Sequence, residues 1–125
     1  MKNILFSTMI WALLLSISFS CKDSSETKVS ITDSDDTYEF YAKFDKSKTR
    51  QIHDFINKKI APSSLTTDRD LDVTTTLDDK TQFEIKQSPG KVHIKLDKED
   101  NTVASYIRIK KICNGIRGII SEKKS

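Results

Sequence analysis

This chain has few of the residues that small proteins use for staples, metals or phosphate cradles. Its 125 residues include two cysteines, two histidines, three glycines and two prolines. Two cysteines, Cys21 and Cys113, allow at most one disulfide, where disulfide-framed exported domains use several. His53 and His93 are far apart in the chain and fall short of the ligand set that a zinc site needs. Gly90, Gly115 and Gly118 cannot form a glycine-rich phosphate loop. No Ser/His/Asp spacing or nucleophile elbow is present. The basic residues are scattered, with no arginine-rich or aromatic-interleaved stripe, and nucleic acid is not expected as a partner. There is no internal repeat, and beyond Ile17 there is no long apolar run.

The one long apolar run lies at the start. Met1-Lys2-Asn3 is followed by Ile4 to Ile17 and then Ser18-Phe19-Ser20-Cys21. A charged head, an apolar stretch and small residues before a cleavage point make a secretory signal. A cysteine directly after that point, with Ser20 before it, resembles the lipobox of bacterial lipoproteins. The resemblance covers about the first twenty-five residues and implies a diacylglyceryl thioether on Cys21, cleavage before it and acylation of the new amino group by a fatty chain such as palmitate. Each buried methylene adds about 0.8 kcal/mol to such an anchor. Lys22-Asp23-Ser24-Ser25-Glu26 looks like the charged export signals of Bacteroidetes lipoproteins, which implies an outer-membrane location, periplasmic or surface-facing. An ordinary secretory signal with an incidental cysteine, or an uncleaved membrane helix, are the competing readings. The apolar run is short for the second, since a spanning helix needs about 20 residues.

This reading divides the chain into a signal peptide (1–20), a polar tether (21–36) and one α+β domain (37–125). Residues 22–36 carry five acids against two lysines and few large apolar side chains. They read as a flexible spacer that holds the domain off the membrane. From Thr37 onward there are eighteen Lys and Arg against thirteen Asp and Glu, a mildly basic balance that admits an acidic partner. If Cys21 carries lipid, Cys113 has no mate. Its place on an apolar helical stripe suits a small buried hydrophobe rather than a reactive thiol.

Within the domain the periods are clear. Tyr38, Phe40, Ala42 and Phe44 alternate with polar residues as in a half-buried strand. Asp45 suits a helix cap. Ile52, Phe55, Ile56 and Ile60 then recur at helical spacing up to Pro62, with His53 off the stripe and expected at the surface. Leu71 to Leu77, Phe83 to Ile85 and Val92 to Leu96 alternate again. The turns at Asp78-Asp79-Lys80 and Ser88-Pro89-Gly90 imply an antiparallel meander. Asp100 or Asn101 is the expected cap of a last helix, whose apolar face runs from Val103 through Tyr106, Ile109, Ile112, Cys113, Ile116 and Ile119 to Ile120. Lys123 and Lys124 favour its C-terminal dipole. The order β-α-β-β-β-α predicts a two-layer fold, a four-stranded mainly antiparallel sheet with both helices on one face and the other face wet.

That wet face is the candidate binding surface. Alternation places Tyr41, Lys43, Glu84, Lys86, His93 and Lys95 on it together with Glu39. Asp68, Asp70 and Asp72 have the spacing that opens an EF-hand loop, but Val73 stands where that loop needs glycine, and no metal or cofactor is expected. The function expected is a non-catalytic binding module of the cell envelope whose partner is a protein or a polymer. The alternatives are a small hydrolase using His93 with Glu84 or Tyr41, and a carrier of an apolar ligand between helices and sheet.

Overall fold

The computed structural model describes residues 27–66 and 70–122. The signal peptide, Cys21, Asp68, Lys123 and Lys124 lie outside the described residues. The elements are β1 (Lys28–Asp33), β2 (Thr37–Lys43), a 3-10 turn (Lys46–Lys48), α1 (Thr49–Ile60), β3 (Leu71–Thr76), β4 (Gln82–Ser88), β5 (Lys91–Asp97) and α2 (Val103–Ser121). The α+β class stands, but the sheet has five strands rather than four. Its order is β1-β2-β5-β4-β3, antiparallel throughout.

The extra strand lies inside the segment read as tether. Val29 and Ile31 alternate with Ser30 and Thr32, and they pair with Ala42 and Phe40 of β2. The acid excess around them conceals this period. Long-range partners hold the strand's end. Lys98 Nζ donates to Asp33 Oδ1 at 2.7 Å and to the Ser34 carbonyl at 2.6 Å. The Tyr106 hydroxyl donates to the other Asp33 oxygen. The Lys98 hydrogen bond, then that of Tyr106, keeps the Asp33 carboxyl below its ordinary range.

The core follows the alternation. Phe40, Ala42, Ile85, Val92, Ile94 and Leu96 of the sheet meet Ile52, Ile56 and Ile60 of α1 and Ile109, Ile112, Cys113 and Ile116 of α2, and all are buried. Cys113 is fully enclosed, and burial pushes its thiol up to about 12. The thiolate needed for reactivity is therefore suppressed. Gly115 marks a close helix–helix approach, because a Cβ there would stand 2.2 Å from the Phe55 ring.

Three local expectations are corrected. His53 is buried, not exposed. Its ring nitrogens meet Gln87 Oε1 at 3.1 Å and Asn57 Nδ2 at 3.2 Å, so the polar group is satisfied inside. Val103 is 74% exposed, because it lies about 120° around α2 from Ile109. Neither Asp100 nor Asn101 caps α2. Thr102 does, its hydroxyl accepting from Ser105 N, while Asn101 binds Gln82 and Asp97 backbone atoms.

Candidate functional site

The helices cover one side of the sheet, and the strand register arranges the other. Two rows cross its centre. One runs Ser30, Tyr41, His93, Lys86, Asp72, and the next runs Thr32, Glu39, Lys95, Glu84, Thr74. Directly opposed residues in such rows have Cβ atoms about 4.5–5.5 Å apart. Lys95 thus lies between two glutamates, and His93 between Tyr41 and Lys86. Alternating signs make these rows mutually supportive.

The rows enclose a shallow depression of 140 Å³ lined by Glu39, Glu84, Lys86, His93 and Lys95. His93 Nε2–H donates to Glu39 Oε2 at 2.9 Å. The Tyr41 ring meets the His93 ring edge-on, with centroids 6.2 Å apart. Two further depressions adjoin it. One, of 230 Å³, shares Glu84 and Lys95 and extends to Asp97 and Asp100. The other, of 300 Å³, shares Lys86 and His93 and takes in Tyr41 and Lys91. The shared residues join the three into one trough across the exposed face, acid-rich at one end and mixed in charge at the other, where Asp70 and Asp72 accompany Lys86 and Lys91.

Of the six residues that the alternation singles out, Glu84, Lys86, His93 and Lys95 converge on the middle depression, and Tyr41 flanks it. Lys43 stands apart, in a third row with Lys28 and Lys91 at the end of the sheet. Glu39 is the residue that sequence reasoning placed on the face but left out of the site. Its pairing with His93 depends on β2 lying beside β5, and chain order does not give that neighbour.

Among the described residues, no group of three or more His, Cys, Asp or Glu is placed to hold a metal ion. Among the same residues, no helix is long and apolar enough to cross a membrane. Comparison with protein-family models, with curated proteins and with solved structures gives no match for this chain.

Proposed function

We propose that the chain is a lipid-anchored protein of the cell envelope, held by Cys21, whose domain is a non-catalytic binding module. The trough on the exposed sheet face is its binding surface. The observation that carries this reading is the continuity of the three depressions through shared residues. An extended polar segment, a peptide or a polymer strand, fits such a shape better than a compact ligand does. His93 and Glu39 are hydrogen-bonded, and Lys95 stands opposite Glu39 and Glu84, an alternation that favours recognition of a partner with mixed polarity.

The test is site-specific photocrosslinking in intact envelopes. A photoreactive side chain at Tyr41 should yield a discrete adduct, and one at Ile107, on the exposed side of α2, should not. Equal patterns from both positions would reject the face. The anchor is checked separately: Cys21→Ser should release the chain from membranes, and unchanged retention would refute lipid attachment.

A second reading, acid–base chemistry at His93, has the Glu39 hydrogen bond in its favour, since a carboxylate partner orients an imidazole. It predicts that His93→Ala abolishes a turnover while leaving the Tyr41 adduct intact.

A further inference from the structure

The two ends of the sheet differ in charge. At one end lie the connections 33–36, 77–81 and 97–101, which hold eight acids and two lysines. Arg108, beside Asp78 and Asp79, and Lys110, near Tyr106 and Asp33, approach from α2 without reversing that majority. At the other end lie the start of β1, the β2–α1 connection, the β4–β5 turn and the last turn of α2. Segments 27–28, 43–50, 88–91 and 117–122 hold seven bases and two acids, and the start of β3 adds Asp70 and Asp72.

Three of the bases at this second end form a row. Lys28, Lys43 and Lys91 stand directly opposite one another across three neighbouring strands, all exposed. Like charges so placed destabilise a sheet, and none of the three pairs with an acid among the described residues. The end does make use of one lysine. Lys48 Nζ donates to the carbonyls of Ile119, Ile120 and Glu122 at 2.8, 3.0 and 2.7 Å, which caps α2 and fixes its C-terminus at this same end.

The chain reaches the domain here. Because residues 28–33 are a strand and not a spacer, only seven peptide units separate Cys21 from Lys28. Such a length spans roughly 25 Å at most. A lipid on Cys21 therefore keeps the lysine row within roughly 25 Å of the bilayer surface, and the acid-rich end lies one strand length further along the chain.

We propose that this basic end, with Lys28, Lys43 and Lys91 at its centre, docks on the anionic phospholipid headgroups of the membrane that holds the anchor. The inference rests on the anchored reading. The acylated Cys21 holds the chain to the bilayer, and the basic patch adds a second contact that sets its orientation. Docked on end, the domain presents the sheet trough sideways, open to a partner, and turns the acid-rich end outward.

The test is amine labelling read by mass spectrometry, on the full chain isolated from membranes and reconstituted in phosphatidylcholine vesicles with or without phosphatidylglycerol. The anchored reading requires the chain to float with both vesicle types. Docking requires Lys28, Lys43 and Lys91 to label at least threefold more slowly on the anionic vesicles, with Lys58, Lys80 and Lys95 unchanged and the protection lost at high salt. A chain that fails to float overturns the anchor and the docking with it. A chain that floats but labels evenly overturns the docking alone. Protection by soluble dextran sulfate but not by vesicles assigns the end to a soluble polyanion and also overturns the proposal. Lys43→Glu/Lys91→Glu, checked by circular dichroism to be folded, should lose the protection of Lys28; protection kept in that variant counts against a shared anionic surface.

Discussion

The acidic and basic ends of the sheet use their charges in opposite ways. At the acidic end two carboxylates, Asp33 and Asp79, have structural partners. Asp33 ties β1 to Lys98 and Tyr106, and Asp79 meets Arg108 at 2.8 Å. The hydrogen bonds from Thr81, with Arg108 beside them, lower the Asp79 carboxyl. At the basic end the lysines oppose one another across the strands, and among the described residues no acid neutralises Lys28, Lys43 or Lys91. Local contacts thus account for Asp33 and Asp79 as part of the fold, whereas the aligned lysines have no such counter-charge among the described residues. A row that is unfavourable in isolation and sits beside the point where the chain enters the domain fits an external anionic surface.

The sharpest way to break this contrast is to reverse the basic end. Lys28→Glu/Lys43→Glu/Lys91→Glu removes about 1 kcal/mol of attraction per lysine at an anionic surface, so docking weakens by roughly 100-fold. Energy transfer from a label at residue 89 to headgroup acceptors reads this. Folding in solution should change little, because one exposed like-charge row replaces another.

Next come the two turns, one at each end, that place a residue in the left-handed region. Gly90 has φ 79°, and a Cβ there would stand 3.0 Å from the Phe44 carbonyl oxygen. Gly90→Ala should cost about 1–3 kcal/mol in urea unfolding. Lys80 has φ 71° with a side chain that pays for nothing there. Lys80→Gly should stabilise the protein by about 0.5–1 kcal/mol in the same assay. Equal and same-signed effects would mean that the turns are not set by these angles.

The smallest effect concerns acid. Asp33 and Asp79 have carboxyls lowered in the folded state. Their stabilisation is complete above the ordinary carboxylate value and disappears as pH falls through the lowered folded-state values. Thermal unfolding followed from neutral pH to about pH 2.5 should therefore show a loss below about pH 4. Asp33→Asn should flatten that loss, and Lys43→Gln should leave it unchanged.

Much of this architecture is legible in the sequence, and what escapes has a common cause. Alternation in β2 to β5 and the helical spacing of Ile52, Ile56 and Ile60 are local signals, and they give the elements and the exposed face. β1 is not local. Its two apolar residues are outweighed by acids, and its order depends on β2 and on Lys98 and Tyr106, 65 and 73 residues beyond Asp33. His53 looks like a surface residue until Gln87, 34 residues on, supplies a buried partner. The same holds at the site. The face is readable from alternation, but Glu39 as the partner of His93 follows only from β2 lying against β5.

The account turns on which end of the sheet faces the bilayer. Donor labels at Asp35→Cys and at Pro89→Cys, on the anchored chain in phosphatidylglycerol-containing vesicles, report the distance of each end from acceptors in the headgroup layer. The residue 89 label should lie nearer by about 20 Å, the length of these strands. Equal distances, or the residue 35 label nearer, would contradict docking through the basic end.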